Sequence, residues 1–157
     1  MPVADTSLPE PHDDVFLQAG RQAFAPVQPQ HMAVAVSGGG DSMALLHVLA
    51  RLAPECGFTL TAVTVDHGLR SEAKAEAKFV ADVCATLGVP HHILQWDDWD
   101  GTGNLMAAAR DARYRLIADW AIAQGITGVA VGHTQDDLAE NFLIRLARKS
   151  GPDGLAA

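Results

Sequence analysis

Short apolar segments alternate with longer segments of helical periodicity along most of the chain. After residue 30, each run of aliphatic or β-branched residues is followed by a stretch whose apolar residues recur every three or four positions. This pattern predicts strands at 32–36, 58–65, 91–95 and 126–131. It predicts helices at 13–24, 42–53, 71–87, 104–124 and 135–149. Such alternation indicates an α/β fold, a parallel sheet with helices on both faces, of the Rossmann-like kind.

The length of the chain and its prolines predict the domain organisation. At 157 residues the chain is long enough for one domain with a continuous core. Pro26 and Pro29 separate a lead-in at 1–30, which carries the first short helix, from the alternating segment at 31–157. The last residues follow a turn rich in glycine and proline, so we expect a chain truncated ahead of further domains.

Composition narrows the class of protein. Hydrophobic residues make up 48% of the chain and charged residues 19%, which favours a folded domain. No apolar run is long enough to span a membrane, and no secretory signal is visible, so we expect a cytoplasmic protein with no membrane partner. The formal charge of −8 argues against this segment alone binding a nucleic-acid backbone. We expect basic regions downstream if the substrate is a nucleic acid.

Cys56 and Cys84 are far apart and do not form a C-x-x-C pair. We therefore expect two reduced, partly buried thiols. A sulfur-transfer enzyme would need a reactive cysteine, so this spacing disfavours that class.

The loop after the first predicted strand has the composition of a phosphate-binding site. Its residues are Ser37, Gly38, Gly39, Gly40, Asp41 and Ser42. Glycines admit positive φ and let backbone N–H groups approach phosphate oxygens, and the start of the following helix adds a partial positive charge. The serines can donate hydroxyl hydrogen bonds, while the Asp41 carboxylate suits Mg²⁺ better than bare phosphate.

The loop is neither a Walker A sequence nor a G-x-G-x-x-G fingerprint. The alternative is a tight strand-to-helix turn in which glycine is merely convenient. Three glycines flanked by serines and an aspartate favour the phosphate site. Residues 37–42 resemble the Ser-Gly-Gly-x-Asp-Ser loop of the PP-loop ATP pyrophosphatases, which adenylate a carbonyl oxygen and release pyrophosphate. The resemblance implies ATP as substrate, with Mg²⁺, and a PP-loop ATP pyrophosphatase domain at 31–157.

Three further segments resemble the tRNA(Ile)-lysidine synthetases in their order and spacing. They are Val65-Asp66-His67-Gly68-Leu69-Arg70, Ala109-Arg110-x-x-Arg113-Tyr114 and Gly132-His133-x-x-Asp136-Asp137-x-x-Glu140. The resemblance covers about residues 31–155, and Met106 and Asn141 depart from the family's usual pattern. These enzymes join lysine to the wobble cytidine of an isoleucine tRNA with a CAU anticodon. L-lysine and tRNA(Ile) are therefore implied as partners, and a homodimer is left open.

The resemblance also implies residue roles. ATP would be bound by residues 37–42 together with Val65, Asp66, Gly132 and His133. Lysine and cytidine would be bound by His67, Arg113, Asp136, Asp137 and Glu140. The catalytic residues would be Asp41, Arg110 and Asp137, and the metal ligands Asp41 and Asp137.

The spacing of the acidic residues has its own chemical meaning. His133, Asp136, Asp137 and Glu140 recur at i, i+3, i+4 and i+7, which places them on one face of a helix start. A cation, either Mg²⁺ or the ammonium group of lysine, would relieve the mutual repulsion of the carboxylates. A solvated acidic first turn is the alternative.

The remaining candidates are weaker. Arg110 and Arg113 suit phosphate, and the alternative for both, weaker for Arg110, is a salt bridge with Asp111 or Asp119 on the helix surface. Asp66 and His67 could face adenosine or cytidine, or form a satisfied polar pair in a loop. We expect His91 and His92 to begin a strand, and Trp96 and Trp99 to pack in a loop. A tRNA thiolase of the same superfamily and a non-catalytic ATP-binding module are the alternative functions.

Overall fold

The structure is a computed structural model that describes residues 11–68, 72–97, 99 and 101–133. Strands and helices alternate in this part of the chain. The helices are α1 (Pro11–Phe24), α2 (Gly40–Cys56), α3 (Glu72–Leu87) and α4 (Leu105–Ala123). The strands are β1 (His31–Ala35), β2 (Thr59–Asp66), β3 (His91–Gln95) and β4 (Gly128–Val131). Each of these elements overlaps a predicted one, and the predicted helix at 135–149 lies outside the described residues.

The strands form one parallel sheet in the order β3-β2-β1-β4. The chain therefore adds β2 and β3 on one side of β1 and then returns to place β4 on the other side. Met32 of β1 pairs with Leu60 of β2 and with Gly128 of β4. The order reverses between β1 and β4, and open parallel sheets bind ligands at the carboxyl ends of the strands beside such a reversal.

Helices cover both faces of the sheet, as the alternation predicts. One face packs against α1, α2 and α3, where Leu46, Leu49 and Val80 are among the most deeply buried side chains. The opposite face packs against α4, where Ala109 and Ala112 contact a cluster that contains Val65 and the buried ring of Trp96. Neighbouring positions of a strand point to opposite faces, so the apolar runs of β1 and β2 supply both layers.

Helix α2 continues past its predicted end at residue 53. It includes Pro54 and ends at Gly57, whose φ of +76° and N–H bond to the Ala53 carbonyl (2.9 Å) form a left-handed cap. A proline removes one N–H donor and crowds the preceding turn, so it is best tolerated where little helix follows. Only two helical residues follow Pro54 here.

Helix α1 packs against α2. Leu17 is buried in the core, and the Phe24 ring lies 5.3 Å from the Phe58 ring, between centroids. Arg21 donates a hydrogen bond to Glu55 at 2.8 Å. The segment predicted as a lead-in thus contributes apolar side chains to the main core. The division of the chain at residue 30 stays a prediction.

A buried hydroxyl fixes the end of β1. Thr64 of β2 donates its Oγ1 hydrogen to the Val36 carbonyl at 2.8 Å, and the same oxygen lies 2.8 Å from Nε2 of His91. A hydroxyl has one hydrogen to donate, so His91 must donate from Nε2 to Thr64. Val36 directly precedes the glycine loop, so this network links the residue before the loop to β2 and, through His91, to β3.

Replacing Thr64 by valine is expected to lower the free energy of unfolding by about 2 kcal/mol, because the Val36 carbonyl and His91 Nε2 both lose a buried partner. Urea unfolding followed by circular dichroism measures this change. Thr59→Val is the matched control, because Thr59 is an exposed residue of the same strand whose hydroxyl makes only a 3.3 Å bond to the Gln30 carbonyl. Equal losses in the two variants would contradict the role given to Thr64.

None of the helices in the described part of the chain is both long enough and apolar enough to cross a membrane.

Candidate functional site

The glycine loop joins the end of β1 to the start of α2. Gly38 has a φ of +91°, a left-handed conformation that favours glycine over residues with a Cβ. Gly39 occupies the N-cap position of α2 with a φ of −73° and a ψ of 158°. The helix then begins at Gly40. The sequence predicts a strand–loop–helix arrangement here, and the structure confirms it.

Two hydroxyl groups brace the inside of the loop. Ser42 is buried and donates to the Gly39 carbonyl at 3.0 Å, while its oxygen accepts the Ser37 N–H at 3.2 Å. The Ser37 and Ser42 oxygens lie 3.2 Å apart, and Ser37 accepts the Gly39 N–H at 3.4 Å. Because Ser42 gives its hydrogen to Gly39, Ser37 must donate to Ser42. In this arrangement both hydroxyls and the N–H groups of Ser37 and Gly39 shape the loop, and the first N–H groups of α2 are the donors that face outward from it.

The outer side of the loop is open to a ligand. A Cβ placed on Gly40 would meet nothing within 4 Å, and one on Gly39 would meet only the Ser37 oxygen at 3.6 Å. Gly39 has no side chain that could cap α2, so the N-cap residue itself provides no side-chain oxygen for the first N–H groups of this 17-residue helix. The helix dipole adds positive potential at the same place. This geometry suits an anionic oxygen such as that of a phosphate.

The end of β4 lies directly against the start of α2. A Cβ on Gly132 would come within 3.0 Å of both the N and Cα atoms of Ser42, and within 3.1 Å of the Asp41 carbonyl carbon. Only glycine therefore fits at this position without a shift of the backbone. The contact places Gly132 and His133 beside the glycine loop, between the two strands where the sheet order reverses.

Helix α4 also reaches this edge of the sheet. The hydroxyl of Tyr114 lies 2.8 Å from Nε2 of His133, and the guanidinium carbon of Arg113 lies 5.1 Å from the centroid of the Tyr114 ring. Asn104 caps the helix by accepting the N–H groups of Met106 (3.0 Å) and Ala107 (3.2 Å). The cap fixes where α4 begins, and hence where its second and third turns present their arginines.

The end of β2 supplies a polar corner. Asp66 is buried and its Oδ1 accepts the Gly68 N–H at 2.9 Å, while its carbonyl accepts the Trp96 N–H at 3.0 Å. The His67 ring packs edge-on against Trp96, with 5.6 Å between the centroids and 83° between the planes. Among the described residues, Nδ1 of His67 is buried without a hydrogen-bond partner. It is an atom that a bound ligand or water could satisfy.

Burial is the main cause that lowers the pKa of His67, and the positive charge of Arg113 lowers it further, while Asp66 opposes both. The folded protein therefore keeps this ring neutral under conditions in which the unfolded chain protonates it. Stability contributed by the neutral ring is present above the unfolded pKa of 6.5 and is lost as the pH falls towards the lower, folded pKa.

We accordingly expect the wild-type protein to lose stability between pH 7.5 and pH 5.5 more steeply than a His67→Gln variant, measured by urea unfolding at about these two pH values. The variant keeps part of the slope, because burial and then His92 also lower the pKa of His91. Arg113→Gln should raise the pKa of His67 in an NMR titration. Identical slopes in wild type and His67→Gln would rule out this contribution of His67.

The other predicted residues are placed as follows. Val65 is a half-buried residue of β2, and Arg110 is a half-buried residue in the second turn of α4. Asp136, Asp137 and Glu140 lie outside the described residues, so the predicted acidic face and its metal ligand Asp137 stay predictions. His91 begins β3, as predicted. Trp96 follows that strand in a loop, as predicted, and its ring is buried against Ala109 and Ala112 of α4.

The described part of the chain holds no group of three metal-ligating side chains. Mg²⁺ in nucleotide enzymes is usually held by one or two carboxylates together with phosphate oxygens and water. Asp41 is an exposed carboxylate in the first turn of α2, next to the open N–H groups. The residues present therefore fit a magnesium ion that a bound triphosphate would share.

Two contributions were not predicted from the sequence. Tyr114 belongs to the segment that contains Arg110 and Arg113, but nothing in the spacing predicts its bond to His133, which is 19 positions away. Trp96 was expected to pack in a loop, without His67 as its neighbour. Both contacts join different elements, and a pattern within one element carries no signal for them.

The comparisons with known proteins agree with this geometry. The family model described as the PP-loop domain matches residues 13–157. The chain belongs to the PP-loop domain family. This PP-loop domain is 53% identical over 137 residues to a tRNA(Ile)-lysidine synthase of Ruegeria pomeroyi, covering 87% of the chain and 33% of that protein. It is 48% identical to the tRNA(Ile)-lysidine synthase of Zymomonas mobilis, covering 80% of the chain and 37% of that protein. The chain thus spans about a third of the length of these relatives.

Solved structures share the fold of the PP-loop domain. A U34-tRNA thiolase from Methanococcus maripaludis superposes with a TM-score of 0.78 at 18% identity, covering 89% of this chain and 52% of the thiolase. An NH3-dependent NAD synthetase from Campylobacter jejuni superposes with a TM-score of 0.57 at 13% identity, covering 92% of this chain and 89% of that one. At these identities the likeness is one of fold, and it confirms the predicted α/β class.

Proposed function

We propose that this PP-loop domain is the ATP-cleaving part of a tRNA(Ile)-lysidine synthase. The reaction joins lysine to the position-2 carbon of the wobble cytidine in tRNA(Ile) with a CAU anticodon, and converts ATP into AMP and pyrophosphate. The observation that carries the proposal is the uncapped start of α2, open at Gly39 and Gly40, with Gly132 packed against it. The names of the relatives, at 53% and 48% identity, supply the substrate class.

The geometry suits the first chemical step. The carbonyl oxygen of cytidine attacks the α-phosphorus of ATP, and the bond to pyrophosphate breaks. The free N–H groups at the start of α2 would hold the departing pyrophosphate, where preformed dipoles stabilise developing charge without reorganising. Arg110 and Arg113, on a helix that reaches the same edge, would neutralise charge on the α-phosphoryl group.

Mg²⁺ would add further neutralisation of the triphosphate. Asp41 is the described residue best placed to hold it, and Asp137 is proposed as the second ligand on the basis of the sequence. The remaining ATP contacts are proposed for residues 37–42, Val65, Asp66, Gly132 and His133.

In the second step the nucleophile is the substrate lysine itself, and no covalent intermediate with the enzyme is needed. The ε-amine of lysine attacks the activated carbon, AMP leaves, and the amine loses a proton. We propose that Asp136, Asp137 and Glu140 orient the lysine ammonium group, and that His67 and Arg113 contact the cytidine. Nδ1 of His67, which is buried and has no hydrogen-bond partner among the described residues, supports this role, because a base could satisfy that atom.

The partners proposed are ATP, L-lysine and tRNA(Ile), in the cytoplasm. With a formal charge of −8, this chain is poorly suited to bind a phosphate backbone, so we assign tRNA binding to further parts of the full-length protein. A homodimer is compatible with this scheme and is tested by the mass of the full-length protein in solution.

The two cysteines argue against the thiolase alternative. Cys84 is buried in α3, where burial raises the pKa of its thiol, and Cys56 lies in the last turn of α2. Because α2 and α3 run back from the carboxyl edge of the sheet, both thiols lie towards the edge opposite the glycine loop. A thiol of raised pKa and remote placement is a poor nucleophile or cluster ligand for chemistry at that loop.

The test uses full-length protein with ATP radiolabelled at the α-phosphate. AMP is expected to form only when lysine and a tRNA(Ile) transcript with a CAU anticodon are both present. A transcript with the wobble cytidine changed to uridine is the matched control. AMP formation that ignores lysine and tRNA would overturn the lysidine proposal. Binding of ATP with no AMP under any condition would favour a non-catalytic module.

A further inference from the structure

A hydrogen bond joins a side chain of α4 to a side chain of the segment that follows β4, at the edge of the proposed phosphate site. The hydroxyl of Tyr114, in the third turn of α4, lies 2.8 Å from Nε2 of His133, the second residue after β4. The rings are 6.5 Å apart between centroids and inclined at 45°. The backbone N–H of His133 donates to the Val131 carbonyl at 3.1 Å, so the main chain at His133 is tied back to its own strand.

A cation fixes the tyrosine in turn. The guanidinium carbon of Arg113 lies 5.1 Å from the centroid of the Tyr114 ring, within the range of a cation–π contact. A positive charge over the ring draws electron density from the phenol, which makes its O–H a better donor. Tyr114 is therefore held from one side by Arg113 and bonded on the other to His133.

The bond determines which nitrogen of His133 is available. Tyr114 occupies Nε2 whether the hydroxyl donates to it or accepts from it, so Nδ1 is the ring nitrogen that remains for a ligand. Gly132 lies against the N and Cα atoms of Ser42, so the histidine follows immediately after a residue in contact with the open helix start. A free rotation of the ring would present either nitrogen, or neither, to an anion bound there.

We propose that Tyr114 is a positioning residue that holds His133 through Nε2, so that Nδ1 faces the phosphates bound at the start of α2. The tyrosine need not touch the nucleotide. In the neutral ring the tyrosine's O–H donates to Nε2 and the hydrogen sits on Nδ1, which can then donate to a phosphate oxygen. In the protonated ring Nε2–H donates to the tyrosine and Nδ1–H still faces the ligand. The identity of the ligand as a triphosphate rests on the proposed function.

The experiment removes only the hydroxyl. In full-length protein, Tyr114→Phe keeps the ring under Arg113. The variant is expected to bind a non-hydrolysable ATP analogue about fivefold to tenfold more weakly, because the hydrogen bond that orients His133 is lost. Titration calorimetry measures the affinity. In protein with 15N-labelled histidine, the Nε2 resonance of His133 is expected to shift on substitution, because it loses its partner. If the tyrosine acted only through the packing of its ring, the affinity would stay unchanged, because Tyr114→Phe keeps the ring.

A double-mutant cycle makes the test specific. In a His133→Ala background, Tyr114→Phe should have no further effect on the affinity for the analogue. Thr61→Val is the matched control, because it removes a similar hydroxyl–imidazole bond, 3.0 Å from Thr61 Oγ1 to His31 Nε2, at the opposite edge of the sheet. That control should bind the analogue as the wild type does.

Three results would overturn the inference. They are an unchanged affinity in Tyr114→Phe, an unchanged His133 resonance, and an equal loss in the presence and absence of His133. These readouts do not require lysine or tRNA. If the analogue binds and the cycle shows coupling while no lysidine is formed, the positioning role stands and the proposed reaction fails.

Discussion

Replacement of Asp41 by alanine is expected to lower the rate of AMP formation about a thousandfold or more, while the protein stays folded. The side chain is exposed in the first turn of α2, beside N–H groups that have no capping side chain. If Asp41 holds the metal ion shared with the triphosphate, its loss removes several kcal/mol of charge stabilisation from the reaction, and each factor of ten in rate corresponds to about 1.4 kcal/mol. The helix loses at most about 1 kcal/mol of dipole interaction.

The measurement is the single-turnover rate in full-length protein, with thermal unfolding recorded beside it. Asp41→Asn separates charge from size and should lose nearly as much activity as the alanine variant. Asp119→Asn is the control and should leave the rate unchanged, because Asp119 is an exposed residue near the carboxyl-terminal end of α4. Excess Mn²⁺ or Mg²⁺ is titrated into each variant, and a partial rescue confined to Asp41→Asn would support metal binding. An Asp41→Ala variant that keeps wild-type activity would refute the metal role.

Gly132→Val is expected to lower kcat/KM for ATP about a hundredfold. An added Cβ already lies 3.0 Å from the backbone N and Cα of Ser42, and two further methyl groups must displace the start of α2. Backbone atoms cannot turn aside as a side chain can, so the N–H groups that face the phosphates would move with them. A displacement of the donor groups at a preorganised site can cost about two orders of magnitude in rate. Gly132→Ala should show the same effect in smaller measure.

Gly128→Val is the matched control on the same strand. A Cβ at Gly128 meets only the end of the flexible Met32 side chain, at 3.8 Å, so the substitution can be accommodated away from the site. Thermal unfolding distinguishes a displaced loop from a general loss of stability. If Gly132→Val and Gly128→Val lose activity in proportion to their losses of stability, the close approach of β4 to the loop has no special role in catalysis.

The Asp41 and Gly132 substitutions test two features of the same candidate site. Asp41 belongs to a loop that the sequence marks by composition, whereas Gly132 matters because of what lies against it. The reversal of strand order between β1 and β4 explains why the two meet. Neighbouring strands on either side of a reversal send their following segments apart, and the gap between those segments admits the ligand.

The sequence was sufficient to predict the described helices and strands and the strand–loop–helix arrangement at 37–42. Periodicity within each segment predicts every described strand and helix, with errors of a few residues at their ends. The largest error was at α2, where Pro54 is carried inside the helix instead of ending it. Terminal turns depend on local capping, here by Gly57, and such ends are less determined than the apolar stripe of the helix itself.

Residue type and spacing in the sequence by itself determined the α/β class, the glycine-rich loop between a strand and a helix at 37–42, and the family resemblance, because each depends on residues close together along the chain. Only the tertiary structure decided that the Ser37 and Ser42 hydroxyls brace the loop, that Gly132 lies against Ser42, and that Tyr114 bonds to His133. These are contacts between elements distant in sequence. Their geometry depends on strand order and on how helices pack across the sheet, and a periodic pattern in one segment does not encode the position of another.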